Sequence, residues 1–237
     1  GYTTSWPSWV HMENFSAWHN VLFATENNGF ASLKSRMAVD TALHEKHLAN
    51  LADWSKKGYF TYAGRTNEGD AKFFSGECAM FTGSSAAYAN VKRNAKFNFG
   101  IAKLPYYTDV AGAPQNSVIG GASLWVMSGK KPAEYKGAAS FVSFLLNPEL
   151  QVEFSAVEGF LPMTAAARAA AGSKLLKADV AALTVASSQL QGPAALRALR
   201  VSEIEPVRII VEEELEAAWS GKTPAKEALD TAVQRGN

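Results

Sequence analysis

The chain has 237 residues, 47% of them hydrophobic and 19% charged, and its 23 lysines and arginines against 22 aspartates and glutamates leave a formal net charge of +1. That composition supplies a core for one large domain or two small ones and rules out a disordered chain. The near-neutral balance, with no run of five or more basic residues, excludes the electrostatic footprint of a nucleic-acid or anionic-membrane binder, and no apolar stretch reaches the ~18 residues of a membrane-spanning helix.

In chain order, Gly1-Tyr2-Thr3-Thr4-Ser5-Trp6-Pro7-Ser8-Trp9 sets two tryptophans three residues apart among loop-forming neighbours. Two apolar faces with donor edges on a polar loop suit a small ligand of carbon and hydroxyl groups; plain core packing is the alternative for such aromatics. These first residues lack the basic start and apolar centre of a signal peptide, and a binding-type motif at Gly1 predicts that the natural start lies upstream. Leu43, Leu48, Leu51 and Trp54 recur at helical spacing, predicting an amphipathic helix over 41–57 closed by Lys56-Lys57-Gly58.

A short helix over 69–75 then leads into a strand over 77–82, a break at Gly83-Ser84-Ser85, and a helix over 86–96. Strands are predicted at 98–103 and 123–127, the second preceded by Ile119-Gly120-Gly121-Ala122. Helices follow at 132–146, stopped by Asn147-Pro148, and on to about residue 157. After the turn Gly159-Phe160-Leu161-Pro162 comes an alanine-rich helical stretch over 164–186, punctuated by Gln191-Gly192-Pro193. The last helices run over 202–220 and 223–235, with Pro224 in the first turn of the latter. This alternation predicts a layered α/β fold.

Several groups carry possible chemistry. Gly83-Ser84-Ser85, between a strand and a helix, presents hydroxyls and free backbone N–H groups where the helix dipole favours an anion, or it caps the helix, or both. Gly120 and Gly121 would let a ligand approach the backbone closely, though a turn explains them equally well. Arg200, at a helix junction, can grip a phosphate or carboxylate through two parallel hydrogen bonds, although most arginines are solvated.

His44 and His47 have metal-compatible spacing but nothing nearby to complete a site, so a solvated helix face is expected. Glu212, Glu213, Glu214 and Glu216 read as an exposed stripe without a positioned partner. Cys78, the only cysteine, reads as a free buried thiol. His11 and His19 flank Glu13 without a nucleophile at a strand-to-helix turn. No convincing catalytic set and no cofactor emerges.

Taken together, Trp6-x-x-Trp9, Glu13-Asn14-Phe15-Ser16-Ala17-Trp18-His19, Asn27-Asn28-Gly29-Phe30, Gly76-Glu77-Cys78-Ala79-Met80, Gly112-Ala113-Pro114-Gln115-Asn116 and Ile119-Gly120-Gly121-Ala122-Ser123-Leu124-Trp125-Val126 resemble the sn-glycerol-3-phosphate-binding periplasmic receptors of ABC importers, within extracellular solute-binding protein family 1. The resemblance continues through Gly159-Phe160-Leu161-Pro162 to the end of the chain. It implies a non-enzymatic receptor with a type II periplasmic-binding-protein fold. Such a receptor closes two lobes on glycerol-3-phosphate or a glycerophosphodiester such as glycerophosphocholine, then docks on a membrane permease without entering the bilayer. A periplasmic location, or an extracellular membrane-associated one, is implied with it.

Matched to the family's contacts, Trp6 and Trp9 would face the glycerol or head group, and Ser84, the Gly121 backbone and Arg200 the phosphate. Phe160 stands where the family usually has tyrosine, keeping the ring and losing a donor worth roughly 1.5 to 3 kcal/mol on an anion. After Arg200, Ser202-Glu203 replaces the family's Gly-Asn and brings an acidic group near the expected phosphate. A sugar or polyol cargo is therefore the alternative, with a phosphodiester hydrolase further behind. The resemblance also implies a fragment: residues 1–118 and 165–237 would form the second lobe, and residues 119–164 would be an excursion into a mostly missing first lobe.

Overall fold

A computed structural model describes residues 1–190 and 199–237. Its small sheet pairs β1 (Tyr2–Thr4) in parallel with β2 (Met80–Thr82), Tyr2 opposite Met80 and Thr4 opposite Thr82. On the other side of β1, the Tyr2 amide donates to the Tyr59 carbonyl (2.7 Å) and the Thr61 amide to the Tyr2 carbonyl (2.8 Å). β1 is thus the central strand, and the chain leaves the carboxyl ends of β1 and β2 on the same edge.

Beyond Trp6 a wide helical turn, Trp9–Asn14, runs into α1 (Phe15–Trp18), and α2 (Thr25–Gly29) is a left-handed turn with φ of 56°, 53° and 55° at Glu26, Asn27 and Asn28. α3 (Ala42–Lys56) starts where the Thr41 side chain accepts the His44 amide and ends at Gly58, whose φ of 72° suits a residue without Cβ. α4 (Glu68–Phe74) precedes β2, and α5 (Ala87–Asn94) follows it. The helix, strand, helix order expected there is present.

α6 (Pro132–Leu145), α7 (Pro148–Glu158), α8 (Ala165–Lys174), α9 (Lys177–Ser188), α10 (Ile204–Trp219) and α11 (Ala225–Gly236) complete the described elements. The core lies between α3, α10, α11 and the sheet: Leu48, Leu51, Val211, Leu215, Ala228 and Leu229 close over Phe23, Met37, Val39 and Phe60. α7 packs against α8 and α5 in a second layer. Cys78 is buried and free.

Four sequence expectations change. Residues 98–103 and 123–127 are not strands, because an apolar run becomes a strand only where a neighbouring edge accepts its hydrogen bonds. The strand expected over 77–82 begins only at Met80, since the Cys78 amide turns back to the Lys72 carbonyl (2.8 Å). The alanine-rich stretch is two helices parted at Leu175–Leu176. The tryptophan segment is less of a loop than its serines and proline predict, Trp9 opening the wide helical turn. The Gln191-Gly192-Pro193 break lies outside the described residues.

Around α6 the packing thins out. That helix buries none of its described side chains, and Trp125, beside it in sequence, is 86% exposed. Leu124, Trp125, Val126, Met127, Tyr135 and Phe141 line an apolar hollow open to solvent.

Candidate ligand-binding site

The carboxyl edge of a parallel sheet is where backbone amides and connecting loops converge, and it is the ordinary ligand position in α/β folds. β1 runs into Ser5-Trp6 and β2 into Gly83-Ser84, and the Ser5 amide donates to the Thr82 carbonyl (3.0 Å), tying the two exits side by side. Trp6 and Ser84 are thereby neighbours on one edge, although 78 residues separate them in sequence.

Trp6 is 41% exposed and left-handed, with φ of 54°, an unusual conformation for a bulky side chain. Its amide donates to the Thr66 carbonyl (3.0 Å) and its indole N–H to Asn67 Oδ1 (2.7 Å). Trp9 is half-buried, and its indole N–H is buried without a partner. A Cβ at Gly120 would lie 3.3 Å from the Trp9 ring, so the Gly120–Gly121 loop sits directly on this indole. Gly121 has φ of 122° and open space around it, which only glycine combines without strain.

The Ser84 hydroxyl accepts the Ala86 amide (3.2 Å), closing a turn ahead of α5. The N-cap of that helix is Ala86 and it has no side-chain cap, so the expected capping by a serine is not made. Against this corner lies the turn at Gly159, where a Cβ would meet the Ser85 carbonyl at 2.9 Å. Gln151 Oε1 accepts the Met163 amide (2.9 Å) and the Thr164 amide (3.2 Å), pinning that turn to α7. Phe160 is 45% exposed and stacks on Phe154 at 5.7 Å. Its ring is partly open to solvent, next to the Gly159 turn that packs on the Ser85 carbonyl.

Of the six candidate positions, Trp6 and Ser84 follow directly on the paired strand exits, Phe160 adjoins the Gly159 turn that packs on Ser85, and Gly121 adjoins the Gly120 that packs on Trp9. Arg200 is held apart in the described contacts. Its amide donates to the Asn28 carbonyl (2.9 Å), and its own carbonyl closes on Gly29, leaving an exposed side chain at the left-handed turn. Glu203 is also exposed and left-handed, with φ of 55°, just ahead of α10.

Sequence reasoning misjudged the charges behind this edge. Glu212, Glu213, Glu214 and Glu216 are paired, because α10 lies against the strand exits and against α11. Glu216 receives the Arg65 fork (2.8 and 2.6 Å) and the Tyr62 hydroxyl (2.5 Å), while Glu212 accepts the Ser8 hydroxyl (3.1 Å). Burial raises the Glu212 carboxyl above its usual range; the Arg65 hydrogen bonds lower that of Glu216. Arg235 holds Glu213 and Glu214. Glu13, buried, is bridged by Arg208 at 2.6 and 2.8 Å.

The histidines also depart from expectation. His44 is fully buried and His47 half-buried, because the helix face they share with Leu48 and Leu51 is turned inward onto α1. His47 Nε2 lies 3.1 Å from His11 Nδ1 and its ring stacks on Phe15 at 4.0 Å, while His19 Nε2 accepts the Tyr107 amide (3.0 Å). Burial lowers His11 to about 3 and His44 to about 4, and pushes His47 well below its ordinary value. No group of three or more metal-ligating side chains occurs among the described residues.

This architecture defines a class. Residues 3–184 match the model of the bacterial extracellular solute-binding proteins, and the chain belongs to that family. It is 43% identical, over its whole length, to the sn-glycerol-3-phosphate-binding periplasmic protein UgpB of Pectobacterium atrosepticum, and 42% identical to UgpB of Salmonella typhimurium. The chain spans 54% and 55% of those relatives. Among solved structures, UgpB of Mycobacterium tuberculosis in complex with glycerophosphocholine superposes with a TM-score of 0.73 at 18% identity, over 99% of this chain and 56% of that one. A cyclic alpha-maltosyl-1,6-maltose binding protein from Arthrobacter globiformis gives 0.68 at 22% identity, over 100% and 58%. The fold is that of the type II periplasmic binding proteins.

Proposed function

We propose that this chain acts as a periplasmic receptor that captures glycerol-3-phosphate or a glycerophosphodiester and presents it unchanged to the permease of an ABC importer. The observation that carries the reading is the meeting of Trp6 and Ser84 at the carboxyl ends of adjacent parallel strands, in a chain 43% identical to a UgpB. Trp6 and Trp9 would take the carbon skeleton or head group, a choline group gaining on the order of 1 to 2 kcal/mol from a ring face. Ser84 and the backbone at Gly121 would take polar oxygens, with the ring of Phe160 closing over them. Arg200, the remaining candidate for the phosphate, stands on the Asn28–Gly29 turn of the described structure with its side chain in solvent.

In this reading residues 1–118 and 165–237 form one lobe and residues 119–164 cross toward a second. The bare face of α6 and the apolar segment before it support that division. A non-phosphorylated sugar or polyol is the second reading, favoured by Phe160, which lacks the hydroxyl that would add a bond to an anion. Calorimetry on the full-length protein decides between them. Heat with glycerol-3-phosphate or glycerophosphocholine, abolished by Trp6→Ala and weakened about tenfold by Ser84→Ala, is expected. Heat with a sugar alone would replace the phosphate reading.

A further inference from the structure

We propose that Asn67 is a positioning residue, whose side-chain carbonyl sets the aromatic wall of the site by holding the Trp6 indole. The inference rests on the reading of Trp6 as a ligand-facing ring and goes beyond it by naming what fixes that ring.

Asn67 occupies the N-cap of α4, the position where an asparagine side chain ordinarily accepts an amide of its own helix. Here it makes no such bond. Its Oδ1 accepts the indole N–H of Trp6 at 2.7 Å instead. An indole is a donor only, so the amide oxygen, and not the NH2 group, must face it. A favoured capping side chain is diverted across space to an aromatic ring that is itself partly open to solvent.

The surroundings make this a bracket and not a chance contact. The Thr66 carbonyl holds the Trp6 amide, and the Ser5 hydroxyl donates to Asp70 Oδ1 (2.7 Å). Gly69 presses so close to the Thr4 carbonyl that a methyl group there would collide with it. Glu68 closes the turn from behind, its carboxylate accepting the Thr66 amide (2.7 Å) and hydroxyl (3.0 Å), which leaves the Thr66 carbonyl and Asn67 Oδ1 directed at Trp6. Trp6 pays for this grip with a left-handed backbone, φ 54°. Such outliers persist only where neighbours over-determine them, and they cluster at ligand sites.

The bond is exposed, so losing it should cost little stability while freeing the ring. The test uses the full-length protein labelled with 5-fluorotryptophan, the Trp6 resonance being assigned with Trp6→Phe. Asn67→Leu should shift and broaden that resonance, leave the thermal midpoint within about 3 °C, and weaken binding of glycerol-3-phosphate and glycerophosphocholine about tenfold. Asn67→Asp, which keeps an acceptor at the same place, should restore both resonance and affinity.

An unmoved Trp6 resonance in Asn67→Leu, or wild-type affinity there while Trp6→Ala no longer binds, overturns the inference and leaves the site standing. Wild-type affinity in Trp6→Ala overturns the site reading and this role together. Should the unsubstituted protein take up neither ligand, the functional reading fails, and the resonance alone then decides whether Asn67 sets the ring.

Discussion

At Phe160 a single oxygen atom separates this chain from the tyrosine that the resemblance leads one to expect. The ring is partly open and stacked on Phe154, and its turn is pinned by Gln151, so a hydroxyl can be added without disturbing the packing beneath. Phe160→Tyr should therefore tighten glycerol-3-phosphate binding about tenfold in calorimetry, the amount one charge-assisted hydrogen bond contributes. An unchanged or weaker affinity would favour an uncharged cargo. Trp6 teaches a related lesson. Its spacing from Trp9 is plain in the sequence, but its left-handed backbone and the asparagine that holds it come from a segment 61 residues away.

Among the elements, the packing of α3 against α1 fixes a pH dependence. His11 and His47 face each other nitrogen to nitrogen, His11 Nε2 meets the Tyr2 hydroxyl (3.1 Å), and His44 is held by Thr41 (2.7 Å) and Ser16 (2.8 Å). The charged groups near this cluster are Asp109 and Lys46, which pair with each other at its exposed rim. Burial keeps the rings neutral in the folded state, whereas the unfolded chain takes up protons near pH 6.5. Stability is thus full above pH 6.5 and falls as the pH drops toward the lowered folded values. His11 and His44 each remove about 2 kcal/mol by pH 5. The urea midpoint should be markedly lower at pH 5 than at pH 7.5, and His44→Gln should flatten that difference. Equal midpoints at both pH values would reject the account.

For the whole molecule, the decisive feature is the uncovered face formed by residues 124–127 and α6. Trp125, Met127, Phe141 and Phe144 are all more than half exposed, an apolar surface that gains about 25 cal/mol for each Å² withdrawn from water. The 237-residue chain by itself should self-associate at micromolar concentration. Sedimentation velocity should show species larger than a monomer, and Trp125→Lys combined with Phe141→Lys should restore the monomer. A concentration-independent monomer peak for the unsubstituted chain would count against it.

Periodicity and punctuation made most of the helices legible, since their causes are local: apolar spacing on α3 and α10, proline at the first turn of α6, asparagine and proline before α7. The same local code carried the tryptophan pair, the strand-to-helix corner at Ser84 and the family resemblance. Tertiary structure alone decided the rest. Whether residues 123–127 became a strand depended on a partner edge, and whether His44 met water depended on which way α3 faced. The acidic run of α10 became a set of ion pairs because Arg65 and Arg235 arrive from elsewhere in the chain. Spacing along one element records what that element can do; burial and pairing belong to the surfaces that meet it.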